Sequence, residues 1–295
     1  MAAENRDTRE GYLYAGAAYF LWGFMPLYMK WLAHIPAWEV VPHRTLWSLP
    51  FAFGVVWWQG GMDTLRRALT NPRLLAMSLL TATLVAINWG VYVWSIGASR
   101  ALEAALGYYI NPLFSILLAA AFIGERLTRP QLFAIVLAAL AVALLTWEQG
   151  GLPWVSLVLT VTWGLYAFFK KTLPVPPTQG FLMEILILTV PALVMLGWFE
   201  SKGTSHFIHT GAHDTVLLLG TGALTAIPLM FYANGAKLLR LSTIAVMQYS
   251  VPTANFLFAV FVFHEPFGPA KLAAFALIWT ALVIYTWTLI RPARG

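Results

Sequence analysis

Cysteine is absent from this 295-residue chain. That excludes a disulfide framework, a thiolate nucleophile, iron–sulfur ligation and zinc–thiolate sites. Charge is scarce too. Asp, Glu, Lys and Arg make up 10% of the residues, where soluble domains carry roughly 25%. Aspartate occurs only as Asp7, Asp63 and Asp214, each at or beyond the end of an apolar run, so a two-aspartate membrane protease is not expected. No HExxH pair occurs, since "FHEPFG" holds one histidine, and no nucleophile–base set is evident. An enzyme is therefore not expected. Low-complexity tails are missing, and no stretch between apolar runs could hold a soluble domain.

What is present is apolar. Hydrophobic residues make up 60% of the chain and its mean hydropathy is +0.72. In water such a chain would expose large apolar patches; in a bilayer, lipid solvates them. Runs of about 20 apolar residues can cross as helices, whereas barrel strands would alternate polarity over roughly 10 residues, and these runs do not alternate. Ten runs emerge, near 11–32, 38–58, 73–97, 102–123, 130–147, 152–171, 178–199, 214–238, 243–264 and 269–290. The sequence thus predicts an all-α integral membrane protein with ten transmembrane helices in contact with the lipid bilayer. The first run is longer than a leader's apolar region and lacks a small-x-small cleavage site, so it reads as a span. Gly60-Gly61, Asn71-Pro72, Gly150-Gly151 and Pro174 to Pro177 punctuate the chain, the intervals 59–72 and 200–213 read as its longer loops, and Ser242 reads as an N-cap.

The net charge is +6. Its basic residues are scattered through short loops rather than gathered in a stripe, so nucleic acid is not expected as a partner. They instead report orientation. Lys30, Arg44, Arg100, Lys202 and Lys271 fall on one side, and the other thirteen of the 18 basic residues fall on the side of the N-terminus. By the positive-inside rule both termini are cytoplasmic. Trp57-Trp58, Trp147, Trp154 and Trp287 lie near run ends, as an interfacial aromatic belt requires.

The chain also resembles itself. At a shift of about 140 residues, Tyr92 falls on Tyr232, Tyr109 on Tyr249, Pro112 on Pro252, Glu125 on Glu265 and Trp147 on Trp287; one residue further, Trp22-Gly23 falls on Trp163-Gly164 and His43 on Glu184. Two five-span units follow, at 11–148 and 152–290. Five is odd, so the second unit starts on the opposite side and the units are inverted. Inverted repeats are an architecture of secondary transporters, with the substrate site near midplane between the repeats.

Ionisable groups within a bilayer are functional candidates. His43, Arg44 and Glu184 alone lie inside runs, within about two turns of an end, and no carboxylate lies at mid-depth. That favours a pathway lined by neutral polar and aromatic groups, and facilitative rather than proton-relayed transport. The candidate substrate-binding residues are Trp22, His43, Asn88, Tyr92, Tyr108, Asn111, Trp163, Tyr166, Glu184, Gln248 and Tyr249, with Tyr232 and Asn255 also at depth. Buried amides need partners, in the protein or in a wet cavity, and the competing role for each is to join helices. Trp and Tyr faces bind cations and rings. Pro112 and Pro252 are candidate helix-breaking or gating residues, each expected to free a carbonyl, that of Tyr108 or of Gln248. His43 and Glu184, on matching runs, could pair with each other or bind a zwitterion, the competing role being a helix–helix polar contact. Glu125 and Glu265 read as structural carboxylates at helix N-termini. His206, His209 and His213 have metal-like spacing, but loop histidines are common and no metal or other cofactor is expected. The partner expected besides lipid is a small-molecule substrate, and a monomer is compatible with the pattern.

The segments "LWGFMPLYMKWL", "HRTLWS", "NWGVYVWSI", "EAALGYYINPL", "GER", "AIPLMFY" and "LSTIAVMQYSVPT" together resemble the RarD-type branch of the EamA-domain transporters, in the drug/metabolite transporter superfamily. The resemblance runs from about 11 to 290. It implies ten helices in two inverted repeats and an inner-membrane exporter of metabolites, with relatives that include aromatic amino-acid exporters. A broad drug exporter is the alternative within the same class.

Overall fold

A computed structural model describes residues 7–124 and 126–290. In chain order the α-helices are α1 Arg9–Trp31, α2 Ala37–Trp58, α3 Met62–Leu69, α4 Pro72–Gly97, α5 Ala101–Leu118, α6 Arg129–Gln149, α7 Trp154–Thr172, α8 Pro177–Ser201, α9 Ala212–Leu238, α10 Leu241–Met247, α11 Ser250–Leu257 and α12 Pro269–Ile290. Two π-helical segments, Ala119–Ile123 and Phe258–Val262, prolong α5 and α11. No strand occurs among the described residues.

Local chemistry sets the helix starts. Thr8 accepts a hydrogen bond from the Gly11 N–H at the start of α1. Asn71 accepts from the Arg73 and Leu74 N–H groups, with Pro72 opening α4. Thr128 and Gln131 form a capping box ahead of α6. Each satisfies donors that a helix leaves unpaired in its first turn, where a proline also costs nothing. Gly150 ends α6 with φ of +67°, a conformation that suits a residue without a Cβ.

Several expectations change here. The interval 59–72, read as a loop, contains α3. The run 243–264 is not one helix: it is interrupted at Gln248 and Tyr249, between α10 and α11. Ser242 is not the N-cap of α10, because the helix begins at Leu241 and Arg240 occupies that position. The Gln248 carbonyl is not orphaned by Pro252, since it accepts from the Val251 N–H at 3.2 Å as the turn tightens. Pro112 lies inside an uninterrupted α5. Glu125 lies outside the described residues.

Among the described residues six helices are long and apolar enough to cross a membrane by length and composition: Pro72–Gly97, Ala101–Phe122, Arg129–Gln149, Pro177–Ser201, Ala212–Tyr232 and Pro269–Thr288. Helices α1, α2 and α7 have comparable lengths of 23, 22 and 19 residues. The main packing partners are α1 with α9 and α11, α2 with α8 and α9, α4 with α7 and α8, α5 with α7 and α11, and α6 with α12. Helices before residue 150 therefore pack largely against helices after it. Small residues allow the closest approaches, with Gly107 against the Ser156 backbone, Gly235 against Ala15 and Gly222 against the Trp47 backbone. In lipid, where apolar surface gains little by leaving the solvent, such backbone proximity and interhelical hydrogen bonds hold helices together. Large apolar side chains face outward, among them Leu13, Trp57, Trp58, Phe122, Trp147 and Val194.

Candidate functional site

The residues that meet at the centre of the bundle come from α2, α4, α5, α7, α9 and α11. Helix α2 carries Arg44 inward, where it is 4% exposed. Its Nε donates to the Thr225 hydroxyl of α9 at 2.7 Å. Its guanidinium lies over the Trp89 ring of α4, 4.4 Å from the centroid. Its Nη1 has no hydrogen-bond partner. Arg44 is thus a core residue and not one of the loop cations that report orientation. A residue two turns inside a run can point either to the interface or to the bundle, and hydropathy does not separate the two.

Around Arg44 stand tyrosines. Tyr92 is buried and lies within interaction range of Arg44, Tyr108 and Asn255. The rings of Tyr92 and Tyr108 meet edge to face at 5.9 Å, and Trp163 meets Tyr108 the same way at 6.4 Å. The Tyr108 hydroxyl donates to Asn88 Oδ1 at 3.0 Å. Asn88 Nδ2 in turn donates to the Leu159 carbonyl at 3.2 Å and to the Thr162 hydroxyl at 3.0 Å. Asn88 therefore ties α4, α5 and α7 together and its side chain is fully used. Asn111 Nδ2 donates to the Thr160 carbonyl at 3.1 Å, a second tie between α5 and α7. Asn255 differs: it is 1% exposed, its side chain interacts with the Tyr92 hydroxyl, and neither its Nδ2 nor its Oδ1 makes a hydrogen bond of ordinary geometry.

Trp22 belongs to a separate aromatic group, 5.9 Å from Tyr19 and 5.6 Å from Tyr232 between α1 and α9. The glycines that follow Trp22 and Trp163 both sit at helix crossings. A Cβ on Gly23 would come within 3.1 Å of the Ala254 Cβ, and one on Gly164 within 2.5 Å of a Phe114 ring carbon.

His43 and Glu184 do not pair. His43 Nδ1 accepts from Trp47 Nε1 at 3.1 Å, its ring packs on Phe207, and its Nε2 is buried without a partner. Glu184, on α8, has its own set. Lys170 Nζ and the Thr81 hydroxyl donate to Oε1 at 2.6 and 2.7 Å, and the Tyr166 hydroxyl donates to Oε2 at 3.2 Å. Lys170 lies two residues from the end of α7 and its long stem reaches back to the acid, so sequence placement as a loop cation concealed it. Gln248 is exposed, because the interruption between α10 and α11 breaks the helical register that would have turned it inward. Tyr249 is half-buried at the same interruption, and Pro112 and Pro252 are buried.

Glu265, Glu39, Glu200 and Asp214 make contacts within the fold. Glu265 does not serve the helix that follows it. Its Oε1 and Oε2 accept from the Ala101 and Leu102 N–H groups at 2.6 and 2.9 Å, so it caps α5 from across the fold. His206, His209 and His213 do not converge: their partners are Glu39, Glu200 and Asp214 respectively. Among the described residues no group of three or more His, Asp or Glu could hold a metal ion.

Residues 9–147 match the EamA-like transporter family. Protein RarD of Streptomyces exfoliatus is 39% identical over 100% of this chain and 93% of its own length. The uncharacterized transporter YojE of Bacillus subtilis is 36% identical over 99% of this chain and 98% of its own. The crystal structure of a further protein superposes with a TM-score of 0.61 at 17% identity, over 95% of this chain and 99% of that one, a likeness of fold alone.

Proposed function

Since the chain belongs to the RarD-type branch of the EamA-like transporter family, multi-pass membrane transporters of the drug/metabolite transporter superfamily, we propose that it exports neutral or aromatic amino acids, or similar small metabolites, by alternating access. On this reading it is a ten-span carrier in the bacterial inner membrane with both termini cytoplasmic. Two inverted repeats, 11–148 and 152–290, form it, and the substrate passes between them.

The observation that carries the reading is a symmetry in the packing. If the first halves α1, α2, α4, α5 and α6 correspond to α7, α8, α9, α10–α11 and α12, every major contact has a counterpart. Helix α1 packs on α9 as α7 packs on α4; α1 on α11 as α7 on α5; α2 on α9 as α8 on α4. The pairs α2–α8, α5–α11 and α6–α12 map onto themselves. Local features recur about 140 residues apart: a π-helical segment at 119–123 and at 258–262, then a left-handed residue at Gly124 and at His264. Such an exchange of roles supports access from either side. The ten spans are the six long apolar helices plus α1, α2, α7 and the α10–α11 unit.

Cationic-drug export, the alternative, draws less support. Glu184, the acid it would need, is already occupied by Lys170, and Arg44 would repel a cation. The deciding experiment is uptake of labelled amino acids into liposomes holding the purified protein, with and without a proton gradient. Uptake of neutral or aromatic amino acids is expected, unaffected by the gradient; a folded, inserted protein that carries none of them would end the amino-acid assignment.

A further inference from the structure

We propose that Arg44 receives the carboxylate of the transported molecule, so that the carrier selects molecules bearing a free carboxylate over their amide and amine analogues; the proposal rests on the transporter reading above. The argument begins with an imbalance. Taking a charge out of water costs several kcal/mol unless a counter-charge and hydrogen bonds replace the solvent. Arg44 is nine-tenths buried, yet what faces it is neutral: the Thr225 hydroxyl, the Trp89 ring, and the phenols of Tyr92 and Tyr108. A lysine could escape by losing its proton, but a guanidinium holds its proton far more firmly. The contrast within the same molecule is direct. Glu184, equally buried, has Lys170 as its counter-ion. Arg44 has none among the described residues, and its Nη1 has nothing to donate to.

The charge and shape of the missing partner follow. A guanidinium presents a planar fork that matches a carboxylate or a phosphate. Here one cation stands alone, so a phosphate dianion would leave the buried site with a net negative charge, whereas a carboxylate balances it. Asn255 adds a second requirement. It interacts with the Tyr92 hydroxyl, which also neighbours Arg44, and at 1% exposure neither of its amide atoms makes a hydrogen bond of ordinary geometry. Its Oδ1 can accept from an ammonium or hydroxyl on the same substrate, and its Nδ2 can donate. A carboxylate with an adjacent donor, the headgroup of an α-amino acid, would satisfy both residues together.

The test uses matched probes: phenylalanine, phenylalaninamide, phenethylamine and phenylpyruvate, each scored for thermal stabilisation of the purified full chain and for competition with uptake in liposomes. Phenylalanine and phenylpyruvate should bind at least about tenfold more tightly than the amide and the amine, since loss of a charge-assisted pair is worth roughly 1.5–3 kcal/mol. Arg44→Gln should abolish that preference. Arg44→Lys keeps the charge without the fork and should retain the preference with weaker binding. If Arg44→Gln fails to fold, the probe series on the unaltered protein and Arg44→Lys still decide. Equal binding of acid and amide by the unaltered protein, or a preference that survives in Arg44→Gln, overturns the proposal. Amino-acid uptake that ignores Arg44 overturns it and leaves the export reading standing. Arg44-dependent binding of phenylpyruvate without amino-acid uptake does the reverse.

Discussion

Lys170 Nζ stands 2.6 Å from Glu184 Oε1, with the acid's side chain 1% exposed and the lysine's 20%. The pair joins α7 to α8 and leaves a full charge balance where the chain is otherwise poor in charge. Removing one partner should be worse than removing both. Lys170→Met strands a buried carboxylate and should cost about 3 kcal/mol, the lower end for a buried pair because the lysine is partly solvated. Lys170→Met with Glu184→Met should recover much of that loss. Thermal or denaturant unfolding of the two variants and the unaltered protein in one detergent measures the difference, and a double variant as unstable as the single would refute it.

Asn88 joins three helices through three hydrogen bonds. Membrane interhelical bonds average about 0.6 kcal/mol each, so Asn88→Ala should destabilise the protein by about 2 kcal/mol. The same change should leave discrimination between carboxylate and amide probes intact, because its amide is already satisfied within the protein. Unfolding and probe competition on one preparation check both halves.

Glu265 should give a recognisable pH dependence. Burial pushes its carboxyl above the ordinary value of 4.5, against the opposing pull of the Leu102 and Ala101 N–H groups. A carboxyl that keeps its proton longer when folded than when unfolded stabilises the fold fully below 4.5, and that contribution is lost as pH rises through the folded value. Stability should therefore fall across that window, and Glu265→Gln, a neutral isostere, should lose this part of the slope. Parallel unfolding curves for the two proteins between pH 4 and 7 would contradict the assignment.

Glu39 is fully buried and accepts from both the backbone N–H and the Nδ1 of His206, at 2.6 and 2.7 Å. It ties the 202–211 loop to the start of α2. With no native cysteine, Ser205→Cys provides a single reporter without background. Adding Glu39→Ala should speed its modification by a thiol reagent on the order of tenfold, the equivalent of 1.4 kcal/mol of local opening. An unchanged rate would mean the loop is held elsewhere.

Apolar run length placed α2 and α12 almost to the residue, because the bilayer criterion depends on composition alone. It missed α3, whose "MDTLRRAL" is amphipathic and flanked by Gly60-Gly61 and Asn71-Pro72. It also missed the π-helical segments, since "AAAFI" and "FAVFV" carry no mark that distinguishes them from α-helix. Among polar residues the sequence points to Asn88, Tyr92 and Tyr108 as deep groups and to Glu184 as a charge inside a run, within about two turns of its end. It could not say which amide would be satisfied and which left over, because Asn88 and Asn255 differ only in their long-range neighbours. Arg44 is visible in the sequence as a charge inside a run, but only the packing shows that no acid lies beside it among the described residues.

The interruption at Gln248 and Tyr249 has no equivalent in α5, which runs unbroken through Pro112. Likewise the left-handed position is a glycine at 124 and a histidine at 264, where φ of +54° costs a side chain roughly 1 kcal/mol or more. A carrier made of two identical halves would have two facings of equal energy and would divide its time evenly between the sides. If the two halves are inverted repeats that exchange roles, as proposed above, each difference would enter one facing differently from the other. A bias of about 1.4 kcal/mol is already a tenfold preference for one facing, so the empty protein should have a favoured side at rest, fixed by where its halves cease to match rather than by where they agree.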